Sequence, residues 1–68
     1  MLTDREQSVL ALMAEGLTNP VIAERMHLSV YVSSVEKHIG SVFTKLDLAE
    51  EPSMNRRVAA VLTWLNAR

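Results

Sequence analysis

Two histidines, His27 and His38, with a scatter of serines, lysines and carboxylates, are the reactive side chains of these 68 residues, and cysteine is absent. Nucleophilic catalysis needs a serine or cysteine beside a histidine that a carboxylate orients. His27 and His38 fall on different predicted elements, and no glycine-rich turn or elbow accompanies any serine. A zinc site needs three or four convergent ligands at tight spacing. Two histidines eleven residues apart, without cysteine, do not supply one. A glycine-rich phosphate loop is also missing. The expectation is a protein with no catalytic residues, no metal and no cofactor. What remains is a polar helix face: Glu36, Lys37, His38, Ser41 and Lys45 lie off an apolar stripe of Val35, Ile39, Val42, Phe43 and Leu46.

Four helical segments would carry those residues, and none of the chain alternates at the strand period. The first runs from Thr3 to about Glu15. Thr3 and Glu6 form a capping box, Val9, Leu10, Met13, Ala14 and Leu17 form the stripe, and Gly16 ends the helix. The second starts with Asn19 as N-cap and Pro20 as first helical residue, a position where proline loses no hydrogen bond. Its buried face is Val21, Ile22 and Met26, with Leu28 closing the turn.

The third helix has two candidate starts, at Ser29 and at the second capping box Ser33-Ser34-Val35-Glu36. Val30-Tyr31-Val32 between them is a poor helix former, which favours Ser33, although Tyr31 and Val32 are in phase with Val35. An acidic connection, Asp47 to Asn55, follows. Asn55 then caps a fourth helix through about Asn66, with Val58, Val61, Leu62 and Leu65 on its inner face. The expected architecture is one all-α, compact four-helix domain, residues 1–68, containing a helix-turn-helix.

Length and composition agree with this. A chain so short is one domain, buries only about 60% of its unfolded surface and is marginally stable. Apolar residues at 49% and charged ones at 22% mark an ordinary globular protein. No apolar run nears the ~20 residues of a membrane span, so a cytoplasmic location is expected. The net charge of −1 gives no support to a nucleic-acid partner.

The ordered motifs are more specific than the layout. Leu2-Thr3-Asp4-Arg5-Glu6, Val9-Leu10, Glu15-Gly16-Leu17-Thr18-Asn19 and Ile22-Ala23-Glu24-Arg25-Met26 run in series. Leu28-Ser29, Val35-Glu36-Lys37-His38-Ile39, Phe43-Thr44-Lys45-Leu46 and Asn55-Arg56-Arg57-Val58 complete it. Over essentially the whole chain this series resembles the LuxR/NarL family of bacterial transcription regulators, and the tail looks most like actinobacterial members. The resemblance implies sequence-specific binding of double-stranded DNA by the C-terminal output domain of a two-component response regulator. It implies DNA contacts from Ser33, Ser34, Glu36, Lys37, His38 and Ser41 on the recognition helix. Lys45 near that helix's end, and Thr18 and Asn19 at the second helix, would meet phosphates. It also implies a homodimer through the fourth helix, where Ala60, Val61 and Trp64 offer an apolar patch, and RNA polymerase as a further candidate partner.

Two departures from the family pattern stand out. Five residues, Val30 to Ser34, separate the Leu-Ser turn from Val35 where the family normally has three, and Pro20 stands where a basic residue is common. Two other readings fit part of the series: a sigma-factor region-four domain, and an interaction module that kept the fold without DNA contact. Simpler roles also exist for single residues. His27 reads as a packed turn residue, Trp64 as cover for the core's edge, Gly40 as a point of close helix packing, and Glu6 as a buttress of the first helix.

Overall fold

Thr3 opens the first helix as expected, with its hydroxyl accepting from the Glu6 amide at 3.1 Å and its amide donating to Glu6 Oε1 at 2.8 Å. The computed structural model describes residues 1–27, 32–48 and 50–67, with the side chains of Val32 and Ser33 outside that description. Within them lie α1 (Asp4–Ala14), α2 (Asn19–Arg25), α3 (Val32–Lys45) and α4 (Arg56–Asn66). Helix α1 ends at Glu15, and Gly16, at φ +83°, takes the left-handed turn a side chain would resist.

Two helix starts differ from expectation, and so does the setting of His27. In α2 the N-cap is Thr18, with extended backbone, and Asn19 is already helical. Asn19 Oδ1 instead accepts from Arg57 Nη1 at 2.9 Å. His27 follows the Met26 C-cap of α2, in the left-handed region at φ 54°, and its side chain is exposed where a packed turn residue was expected. Helix α3 is helical from Val32, so Ser33 lies inside it and is no cap. The β-branched penalty is only a few tenths of a kcal/mol per residue. Burial of Val35, Ile39 and Val42 outweighs it. The readings placed on Leu28, Ser29, Val30 and Tyr31 fall outside the described residues.

The core gathers Val9, Leu10 and Met13 from α1, Ile22 and Ala23 from α2, Val35, Ile39 and Val42 from α3, and Ala60 from α4. Helix α1 lies at the centre, packing on all three others, while α2 packs on α3 and α4 rests chiefly on α1. Asp47, at φ 57°, closes α3, and the Leu48 amide returns to the Phe43 carbonyl at 2.9 Å. Gly40 does not serve close packing, since a Cβ there would meet nothing within 4 Å.

Helix α4 is the main correction. Asn55 caps it as expected, accepting from the Val58 amide at 3.2 Å. Val58, Leu62 and Leu65, however, are 53%, 54% and 49% exposed, whereas Ala60 is fully buried and Val61 and Trp64 pack against the core. The helix carries two apolar stripes, and Arg57 selects between them. Its guanidinium donates to the Leu17 carbonyl at 2.8 Å and to Asn19, which turns Arg57, Ala60, Val61 and Trp64 inward. Replacing Leu62 by Ala should therefore shift stability by less than about 0.5 kcal/mol. Replacing fully buried Leu10 by Ala should cost about 2–5 kcal/mol. Urea denaturation of the two variants checks both values, and a large loss at Leu62 would reverse the orientation of α4.

Candidate nucleic-acid interface

The inner side of α3 is fixed by Val35 and Val42, both fully buried, and by Ile39. Its opposite side is what the helix offers to a partner. Glu36 and Lys37 are exposed, and Ser34 and His38 are half-buried beside them. Helix α2 packs behind α3, so a short helix braces a longer one whose polar face points outward. An α-helix of this kind fits a major groove about 12 Å wide, where side chains reach base edges.

The residues expected to contact DNA do not share one outward face. Ser41 and Lys45 turn toward α1, where both donate to Glu6. Ser41 Oγ binds Glu6 Oε2, and Lys45 Nζ reaches Glu6 Oε1 at 2.7 Å. Glu6 is 4% exposed, so its carboxylate sits in the α1–α3 seam under the Lys45 stem. At the other end, Thr18 is exposed, while Asn19 is half-buried and held by Arg57. Ala60, expected in a dimer patch, belongs to the core, and Val61 and Trp64 pack beside it.

Two roles were missed from the sequence. Glu6 buttresses α1 as read, but it also ties α1 to α3 through partners 35 and 39 residues away. Arg57 links α4 to the α1–α2 corner, and its only local sign is that it shares a helical stripe with Ala60 and Trp64. Arg56 lies over the Phe43 ring, 4.8 Å from its centre, and stays within 3.9 Å of Glu50. Among the described residues, no cluster of three or more His, Asp or Glu is placed to hold a metal ion. No helix among them is long and apolar enough to cross a membrane.

A central helix, a braced pair and an outward polar helix face define a helix-turn-helix domain of the kind that binds DNA in transcription regulation. The family model of bacterial regulatory proteins, luxR family, matches residues 1–63. The chain is 41% identical over 54 residues to the oxygen regulatory protein NreC of Staphylococcus haemolyticus, covering 79% of this chain and 24% of that protein. It is 34% identical over 50 residues to the response regulator protein VraR of Staphylococcus aureus, covering 74% and 23%. The chain thus spans about a quarter of the length of the curated relatives it matches. No solved structure matches it. This chain belongs to the luxR family of bacterial regulatory proteins.

The Glu6 cluster has a measurable signature. Its pKa is lowered from 4.5 to about 2, first by the Lys45 hydrogen bond, then by Ser41 and the Thr3 amide, against a smaller upward push from burial. A carboxyl depressed on folding binds fewer protons in the folded chain than in the unfolded one. Its stabilisation is present above about pH 4.5 and fades as pH falls toward about 2. In acid titrations of stability, Glu6→Gln should flatten the profile across that window relative to the wild type. An unchanged profile would mean that Glu6 is not the group responsible.

Proposed function

We propose that this domain reads duplex DNA with the outward face of α3, using Ser34, Glu36, Lys37 and His38, as the output domain of a longer cytoplasmic response regulator. The observation that carries the reading is the two-sidedness of α3. One side is buried to completion at Val35 and Val42, and the other holds Glu36 and Lys37 in solvent. Helix dipoles and polar side chains then supply register, and base edges supply sequence information. Catalysis forms no part of the proposal.

Charge makes association in pairs part of the same reading. Among the described residues of α3, Lys37 is the lysine without an internal partner, since Lys45 is bound to Glu6. A single copy would neutralise few phosphates and bind weakly. Two copies on inverted half-sites about one helical turn apart double that number. The surface suited to pairing is the outward stripe Val58, Leu62 and Leu65 on α4, in place of Ala60, Val61 and Trp64. RNA polymerase is a further proposed partner, reached once the pair is seated on a promoter.

Titration of the domain onto a library of promoter fragments at two salt concentrations tests the DNA reading. Selected duplexes should bind more tightly than random sequence, and Lys37→Ala should reduce the salt slope by about one. If no duplex exceeds random sequence at low salt, the domain is an interaction module and the proposal fails. For pairing, Leu62→Glu should leave a folded monomer while removing the dimer in sedimentation runs. A Leu62→Glu chain that pairs like the wild type would exclude α4 as the interface.

A further inference from the structure

Lys45 is a cation near the end of the recognition helix, yet the geometry gives it other work. Its ammonium sits 2.7 Å from Glu6 Oε1, with 35% of the lysine side chain exposed against 6% of the glutamate. Glu6 also accepts from Ser41, one helical turn earlier on α3, and from the Thr3 amide. For Lys45 to give its ammonium fully to a phosphate, it would leave a carboxylate in the α1–α3 seam without its counter-ion. Removing one partner of a buried charge pair is strongly destabilising. A solvent-screened phosphate contact returns far less.

We infer that Glu6 is a specificity-determining residue that acts through Lys45: it withholds this ammonium from DNA phosphates and so limits sequence-independent binding. The inference rests on the DNA-binding reading above. Phosphate contacts supply affinity for any sequence, whereas base contacts supply discrimination. A lysine neutralised inside the domain therefore lowers the first and leaves the second. Glu6 is thus a positioning residue with an electrostatic role that packing alone would not provide. Its two α3 partners also hold the rotation of that helix, so the same carboxylate sets which side chains face outward.

The experiment compares the wild type with K37M, K45M, E6Q and the double variant E6Q/K45M on a random-sequence 30-base-pair duplex over a salt series. Gln at position 6 keeps one acceptor oxygen, for the Thr3 amide, and offers an NH2 that the Ser41 hydroxyl oxygen can accept from, while removing the charge. K37M should lower the salt slope by about one, and K45M should leave it unchanged. E6Q should raise it by about one, equivalent to about 3.5-fold more affinity lost between 50 and 200 mM salt. E6Q/K45M should return to the wild-type slope. A merely structural Glu6 would alter stability without a Lys45-dependent change in slope.

K45M lowering the slope as K37M does, or E6Q leaving it unchanged, would overturn the inference. A variant that does not fold is replaced by a measurement on the wild type. The carbon resonance of the Glu6 carboxyl and the Lys45 ammonium signal should both stay put when the duplex is added. Movement of both would show Lys45 leaving for a phosphate and would overturn the inference. A wild type that binds no duplex at low salt removes the DNA reading and the inference together, an outcome distinct from bound duplex with a Lys45 contribution.

Discussion

A single carboxylate holds this domain's geometry. Glu6 lies in the seam between α1 and α3, with Thr3, Ser41 and Lys45 donating to it. Burying an ion is costly unless its hydrogen-bonding capacity is filled, and these donors fill it. The cluster caps α1 through Thr3 and fixes the rotation of α3 through two residues four apart. Which side chains of α3 meet solvent follows from that rotation.

A second polar link does for α4 what Glu6 does for α3. Arg57 reaches the Leu17 carbonyl and Asn19, locking α4 against the α1–α2 corner. The two links share a logic. Each uses a charged group from one helix to satisfy polar groups on another, so helix rotation is decided by hydrogen-bond geometry as well as by apolar burial. The apolar core alone is too small to be so selective, since its members include alanines at positions 23 and 60.

Local signals made most of the fold readable. The Thr3–Glu6 box, Gly16, the Asn55 cap and the stripe Val35, Ile39, Val42 are all short-range patterns, and each appears as read. The failures have a common cause. Asn19 looks like a cap, but Thr18 holds that position and the Asn19 oxygen accepts from Arg57, 38 residues away. Helix α4 has apolar residues on two sides, and periodicity cannot choose between Val58-Leu62-Leu65 and Ala60-Val61-Trp64. Ser41 and Lys45 sit at spacings that suit an outer face, and only the distant Glu6 turns them inward. Within α3, the outward placement of Glu36 and Lys37 was legible from the apolar stripe, whereas the ties of Ser41 and Lys45 to Glu6 depend on a residue 35 and 39 positions away.

The position of Ala60 has a consequence for how the chain comes into being. It is fully buried on α4, and α4 rests chiefly on α1, at the opposite end of the sequence. The hub is thus synthesised before one of the surfaces that covers it. A nascent chain that has finished α1, α2 and α3 still shows the apolar flank of α1 around Met13 to water. The contacts between α1 and α4 join segments far apart in the chain, and contacts of high sequence separation are the slow ones to form. In a domain this small, cooperativity is a property of chain order as much as of packing.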